Sequence, residues 1–146
     1  SAAPTHAHAD GAAGAVAIAV AAAAVFAGER DRGRILAAVV DRTPPGRVRE
    51  RLPLVERVGD DVERAAELLG NGSQVMAADT VPFALWCALG SLDDYERALW
   101  SCCEAGGDVD TTCAMVGGIV AGAVGVAGIP VLWRAAREPL PDHLRT

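Results

Sequence analysis

Two carboxylates and two hydroxyls stand directly before a long run of small apolar residues in this 146-residue chain. The segment reads GGDVDTTCAMVGGIVAGAVG over residues 106–125 and contains Asp108, Asp110, Thr111 and Thr112. Residues two positions apart face different sides of a helix, so Asp108 and Asp110 can converge only if Asp108 precedes the helix. The spacing therefore allows two interpretations: a doubly acidic helix start, or a site that holds a cation.

The repulsion within such a carboxylate pair can be offset by the helix start or by a bound cation. Two carboxylates about 4 Å apart repel each other by roughly 1 kcal/mol in water and by about 4 kcal/mol at an effective protein dielectric. A helix N-terminus typically offsets less than about 1 kcal/mol of this repulsion, and a divalent cation offsets more. The donors, two carboxylates and the Thr111 hydroxyl, are all oxygen and suit Mg²⁺, Mn²⁺ or Ca²⁺ better than Zn²⁺.

Composition limits the fold and the function. Hydrophobic residues make up 51% of the chain and aromatic residues only 4%. Apolar runs rich in alanine, without an alternating pattern, predict an all-α fold: a compact Ala/Gly-rich helical bundle. The net charge of −6 argues against a nucleic-acid partner, which requires a basic surface. Four cysteines without a CxxC pair predict reduced core thiols and a cytoplasmic location.

Start and stop signals divide the chain into seven predicted helices. Asp10 or Thr5 is expected to cap the first helix, Asp60 the fourth and Ser91 the sixth. The predicted ranges are about 10–26, 31–41, 45–57 and 61–69, then a fifth helix from 79 or 80 with Pro82 in its first turn, a sixth between 91 and 106, and a seventh over 111–127. The first and seventh are expected to be buried, because they have no polar face. The stretch GNGSQ, residues 70–74, is predicted to be a loop.

Two uncharged stretches, residues 12–28 and 113–133, also raise the possibility of a membrane span, and the second is long enough. They contain few large apolar side chains, and Pro130 lies near the end of the second. No basic segment precedes the first, unlike in a signal peptide. A tightly packed helical core explains both stretches, so we expect no membrane partner.

Several motifs, in order, resemble a known family. Residues 106–125 followed by IPVLW at 129–133 resemble the C-terminal signature of the ADP-ribosylglycohydrolases, which include the dinitrogenase-reductase-activating glycohydrolases. ADTVPFALW at 78–86 and DDYERALWSCCEAGGDVDT at 93–111 resemble the helix pair before that signature. THAHADGAAGAVAIAVA at 5–21 resembles the family's Thr-His-x-His segment and the Ala-rich helix after it. The likeness covers almost the whole chain.

The resemblance implies an all-helical fold with two divalent metals, Mg²⁺ or Mn²⁺, in a cleft. Asp108, Asp110 and Thr111 match the family's C-terminal metal ligands, Asp108 is expected to be catalytic, and His6 matches a histidine near the ADP-ribose. The glycines expected to lie against the substrate are Gly106 and Gly107. The implied reaction is hydrolysis of the glycosidic bond that links ADP-ribose to a protein side chain or a related acceptor. The metals would hold ribose hydroxyls and position or activate water.

Two other segments of the family pattern have no counterpart in this sequence. These are a Gly-Asp-x-x-Gly segment and a Thr-Asp-Asp-Thr motif that supplies the remaining metal ligands. We therefore expect residues 1–146 to form the C-terminal part of a single domain whose N-terminal half is absent, and to carry half of the dinuclear site. The missing half, or self-association, would then cover exposed core. The alternative is a non-catalytic ADP-ribose-binding or regulatory relative that lacks the N-terminal ligands.

Overall fold

The computed structural model describes residues 8–139 and 141 of the chain. These residues contain eight α-helices and two short 3₁₀ helices, and no β-strand, which confirms the all-α prediction. The α-helices are α1 (Ala9–Phe26), α2 (Arg32–Arg42), α3 (Arg47–Arg51), α4 (Val62–Leu69), α5 (Ala77–Gly90), α6 (Tyr95–Ala105), α7 (Val109–Val124) and α8 (Val131–Ala136). The 3₁₀ helices are Leu52–Glu56 and Val126–Gly128.

Helix α5 forms the centre of the bundle. Every residue from Ala78 to Leu89 is buried, and Phe83 and Leu85 are fully enclosed. Helices α1, α3, α4, α6 and α7 all pack against it. A helix surrounded by neighbours has no side that faces water, which explains why α5 is apolar all round.

Helices α1 and α7 are buried on one side only, so the expectation that both are buried was wrong. In α1 the core face consists of Ala13, Ala17, Ala21 and Val25, spaced four residues apart. Only 33% of the helix is buried, and most of its other apolar side chains remain accessible. Within the described residues, α1 is also the one helix long and apolar enough to cross a membrane. Core helices of globular proteins share that length and composition, so this property alone assigns no membrane.

The N-caps of α4 and α6 lie later than predicted. Asp61, not Asp60, caps α4, and its side chain accepts a hydrogen bond from the amide three residues ahead at 2.9 Å. Asp94, not Ser91, caps α6 in the same way at 3.0 Å. In both cases the residue directly before the first turn has an extended backbone, which brings its carboxylate back to the free amides of that turn.

The starts of α1 and α5 also differ from the prediction. His8 caps α1, and its Nδ1 accepts a hydrogen bond from the Asp10 amide at 3.2 Å. Helix α5 begins at Ala77 rather than at residue 79 or 80, so Pro82 lies in the second turn instead of the first. Asp79, one of its two predicted first residues, lies inside the helix, and its side chain accepts a hydrogen bond from a loop amide. The other predicted cap of α1, Thr5, lies outside the described residues.

Two helices end earlier than predicted. Helix α3 stops at Arg51, and the chain continues as the 3₁₀ helix Leu52–Glu56. Helix α7 stops at Val124 because Gly125 takes a φ of 64°, a left-handed conformation that ends a helix. The apolar stretch 113–133 is therefore not one continuous helix.

The four cysteines are free, but they do not all lie in the core. Cys87 and Cys102 are buried, Cys113 is partly buried, and Cys103 is exposed. The prediction of core thiols was therefore wrong for Cys103, which follows Cys102 on the outer side of α6. Burial, together with the neighbouring Cys102 and Cys103 thiols, raises the pKa of Cys113 to about 12.

This arrangement predicts an order of thiol alkylation. At pH 8 iodoacetamide should modify Cys103 first, because it is exposed, and Cys113 much more slowly, because a thiol with a pKa of about 12 is ionised to only about one part in 10⁴ at that pH. Fragmentation mass spectrometry of the peptides measures the order, and a sample in denaturant serves as the control. Equal labelling of both residues in the native protein would contradict the structure.

Candidate functional site

The turn between α6 and α7 brings the two acidic side chains together. Asp108 is the N-cap of α7 and is not yet helical, with φ −84° and ψ 71°. Its Oδ1 accepts a hydrogen bond from the Thr111 amide at 3.4 Å, and Oδ1 of Asp110 accepts one from the same amide at 2.9 Å. Both carboxylates therefore converge on one backbone N–H. This is possible for residues two positions apart because Asp108 precedes the helix.

The acidic turn lowers the pKa of Asp108. The neighbouring Asp110 carboxyl, followed by the Thr111 hydroxyl and amide, holds that pKa below its ordinary value. A lowered pKa means that the carboxylate loses its negative charge only at a pH below the usual range for aspartate. The turn therefore presents a charged oxygen donor at neutral pH, at the end of α7 where backbone amides point outward.

Asn71, in the loop between α4 and α5, holds this turn in place. Its carbonyl accepts a hydrogen bond from the Asp108 amide at 3.1 Å, and its side-chain Nδ2 donates to the Ala105 carbonyl at 2.9 Å. Its Oδ1 accepts a third hydrogen bond, from the Ser73 amide at 3.2 Å. One residue thus links the last turn of α6, the N-cap of α7 and its own loop. The sequence analysis missed Asn71, although an Asn between two glycines is a signal for a structured loop.

Two glycines permit this close approach of loop to turn. Gly72 has a φ of 87°, and a Cβ at this position would stand 2.6 Å from Cβ of Asp108. Gly107 has a φ of 72°, and a Cβ there would collide with the carbonyl and side chain of Asn71. Neither position tolerates a side chain without a shift in the acidic turn.

Asp79 fixes the other end of the loop. Its side chain is buried, and its Oδ2 accepts a hydrogen bond from the Gln74 amide at 3.0 Å. A carboxylate buried at the start of the central helix is costly unless it is hydrogen-bonded, so this bond ties the 70–74 loop to the most rigid part of the bundle. The sequence analysis treated Asp79 as a helix start and missed this role.

A groove of about 880 Å³ opens beside the acidic turn. Helices α1 and α7 form two of its walls. They run in the same direction, as the contact of Phe26 with Gly122 near their ends and the position of Ala15 and Thr111 in the groove lining indicate. The far part of the groove is apolar. Its lining there includes Ala15, Ile18, Ala19, Ala22, Val81 and Met115.

The near end of the groove is polar. Asp108 and Thr111 lie on the α7 side, and His8 and Asp10 lie on the α1 side. Arg47, the first residue of α3, contacts Oδ2 of Asp10 through both Nε and Nη2 at 2.8 Å. The starts of α1, α3, α5 and α7 therefore all border this end of the groove.

The other predicted site residues lie as follows. Gly106 ends α6 with a φ of 64°, and its amide donates to the Cys103 carbonyl at 3.2 Å. Gly107 is exposed between Gly106 and the acidic N-cap, and neither glycine lines the groove. His6 lies outside the described residues. Among residues 8–139 and 141, no three His, Cys, Asp or Glu side chains are arranged so that they could hold a metal ion.

The loop contacts predict that Gly72→Ala is destabilising. The added methyl group would force either the left-handed loop residue or Asp108 to move, at a cost of roughly 1–3 kcal/mol, which corresponds to a melting temperature lower by several degrees. Gly118→Ala is the matched control, since Gly118 lies within α7 with open space around it, and this change should stabilise the helix by about 0.5–1 kcal/mol. Thermal unfolding of both variants measures the difference, and equal melting temperatures would show that the loop does not brace the turn.

Comparison with known proteins identifies the family. Searches of curated proteins and of solved structures gave no match. The sequence model of the ADP-ribosylglycohydrolase family matches residues 1–146. Together with the all-helical fold and the Asp108–Thr111 turn at the start of α7, this match shows that the chain belongs to the ADP-ribosylglycohydrolase family.

Proposed function

We propose that this chain takes part in the metal-dependent hydrolysis of the glycosidic bond that joins ADP-ribose to a protein side chain or a related acceptor. The family match supports a glycohydrolase-type activity. The observation that carries the more specific proposal is the convergence of the Asp108 and Asp110 carboxylates on the Thr111 amide. Asp108 borders the polar end of the groove, and Asp110 stands beside it.

The donor set fits Mg²⁺ or Mn²⁺. Asp108, Asp110 and Thr111 supply only oxygen atoms, and hard divalent cations prefer such ligands. When bound, the two ions would hold ribose hydroxyls and position or activate water. Asp108, which remains ionised and borders the groove, is the residue we assign to catalysis, because it can orient a water molecule beside the bond that is cut.

The glycines before Asp108 lie outside the groove but beside the carboxylates. The Gly106 amide is occupied by the Cys103 carbonyl, whereas the Gly107 amide has no partner among the described residues. We propose that the Gly107 amide and the open Gly106 backbone contact the sugar. We keep His6 as a proposed ADP-ribose contact on the strength of the resemblance.

Three donors are too few to hold two ions, so we propose that a complementary segment completes the site. This segment is the N-terminal half of the family domain, which carries the remaining carboxylates. An apolar helix of that half would lie in the groove, against Ala15, Ile18, Ala22 and Met115. The small alanine side chains let a helix approach closely, and such a contact would cover the exposed side of α1. Self-association is the competing way to cover this surface.

The remaining proposals concern location and partners. Free thiols at all four cysteine positions fit a reducing compartment, and we propose the cytoplasm. The acidic net charge of −6 argues against a nucleic-acid partner. The ligand we propose, an ADP-ribosylated protein or an ADP-ribose derivative, rests on the family match. An ADP-ribose-binding relative without catalysis is the second candidate, and the scarcity of metal donors among the described residues favours it if no complementary segment binds.

Substitutions at Asp108 distinguish a metal ligand from a helix cap. Asp108→Asn keeps a good N-cap, so stability should not change, but Mn²⁺ binding by calorimetry should be lost because the charge is removed. Asp108→Ala should lose both Mn²⁺ binding and about 1 kcal/mol of stability. Asp94→Ala, at the cap of α6, is the control: it should lose similar stability and retain Mn²⁺ binding. If Asp108→Asn binds Mn²⁺ as the wild type does, the carboxylates are only caps.

The half-site predicts that activity depends on complementation. The isolated chain should bind Mg²⁺ or Mn²⁺ weakly and release ADP-ribose from a modified protein at a rate near background. Addition of a separately produced N-terminal half of a family member should give a compact complex, seen by light scattering, and restore release of ADP-ribose. Full activity of the 146-residue chain as a monomer would contradict the half-site proposal. Formation of the complex without activity would favour the binding role.

A further inference from the structure

Arg47 is the one arginine or lysine among the described residues that line the groove. It is the first residue of α3 and contacts Asp10 on the α1 side of the groove, whereas Asp108 lies on the α7 side. Its Nε and Nη2 both contact a single oxygen, Oδ2 of Asp10, at 2.8 Å. The described part of the chain offers no partner to the third nitrogen, Nη1, and the side chain is 58% exposed. Within the described residues, Arg47 therefore has donor capacity that no other protein group takes up.

Asp10 sets the orientation of this guanidinium group. The Asp10 side chain is only 13% exposed, and Gly46 approaches so closely that a Cβ there would stand 3.3 Å from Oδ1. A carboxylate confined in this way, bonded to two nitrogens, fixes the plane of the guanidinium group. An arginine whose plane is already fixed loses less conformational freedom when it binds a second oxyanion.

The charges at the polar end of the groove require such a cation. Asp10 and Asp108 both border this end, and Asp110 stands beside Asp108. A diphosphate approaching these carboxylates would be repelled. Arg47 offsets the charge of Asp10, and its planar fork of N–H donors matches two phosphate oxygens at once.

We propose that Arg47 binds the diphosphate of the substrate, across the groove from Asp108, and thereby selects ADP-ribosyl groups over uncharged glycosides. The identity of the nucleotide rests on the proposed function, but the preference of Arg47 for a diphosphate does not. The ribose then lies between the two walls, with its anomeric carbon on the side of α7. Asp10 acts as a positioning residue that holds the guanidinium group.

The first test uses inorganic pyrophosphate as the probe in metal-free buffer with a chelator, so that binding cannot occur through a metal ion. Titration of the full chain, followed by ³¹P NMR, should show that Arg47→Met weakens binding by about 10- to 100-fold. The affinity of Arg47→Lys for pyrophosphate should lie between those of the wild type and Arg47→Met, because lysine keeps the charge but lacks the planar fork of donors. The control is Arg34→Met, which removes an arginine paired with Glu29 at 3.0 Å outside the groove and should bind like the wild type.

The second test measures hydrolysis by the chain completed with an N-terminal half. Arg47→Met should raise KM for the ADP-ribosylated substrate by about 10- to 100-fold and leave kcat within about threefold. A merely structural role of the Asp10–Arg47 pair would instead lower the melting temperature and leave the KM for the folded fraction unchanged.

The outcomes separate this inference from the proposed function. Pyrophosphate binding that depends on Arg47, without hydrolysis by the completed protein, supports the diphosphate site and contradicts the proposed function. Hydrolysis with a KM that does not respond to Arg47→Met supports the function and overturns the inference. The inference is also overturned if the wild type binds no pyrophosphate, or if Arg47→Met binds it equally well.

Discussion

The hydrogen bond from the Asp108 amide to the Asn71 carbonyl, 3.1 Å long, controls the geometry of the acidic turn. Without it, the turn after α6 would have two flexible glycines and no fixed position for the first carboxylate. The same Asn71 side chain bonds the last carbonyl of α6, so the turn is held on both of its sides. The loop is in turn tied to buried Asp79 of the central helix. A few hydrogen bonds therefore connect the turn with the two carboxylates to the buried core.

Helix α1 is apolar on all sides, but only one of its sides is buried. Its alanines at four-residue spacing bury one face well, but the other face has no charged residue between Gly11 and Phe26. An isolated chain with this surface exposes apolar area that globular proteins usually cover. The groove formed with α7 has the apolar lining of a helix-binding surface, and its polar end coincides with the acidic turn. A helix bound in this groove would thus cover the apolar surface and also complete the polar site.

The sequence predicted the fold class and the family, because these depend on composition and motif order. It gave only the condition under which Asp108 and Asp110 can converge, namely that Asp108 precedes the helix. It did not predict the central role of α5, since an apolar helix buried on all sides and one buried on a single side have similar compositions. The cap residues were displaced because adjacent acidic residues, such as Asp60 and Asp61, are equally suitable by type. The roles of Asn71, Asp79 and Arg47 could not be predicted, since each depends on contacts between segments distant in sequence.

The starts of α1, α3, α5 and α7 border one end of the groove, and this arrangement bears on how much negative charge the site can hold. Each helix N-terminus stabilises a nearby anion by roughly 0.3–1 kcal/mol, and α3, with five residues, contributes least. Repulsion between two carboxylates at contact distance is about 1–4 kcal/mol, so the N-terminus of α7, where Asp108 and Asp110 stand, offsets only part of it. Asp10 adds a third carboxylate, which Arg47 neutralises. The remaining repulsion at the acidic turn would favour a divalent cation there, while the N–H donors of Arg47 that Asp10 does not use stay available to a substrate diphosphate.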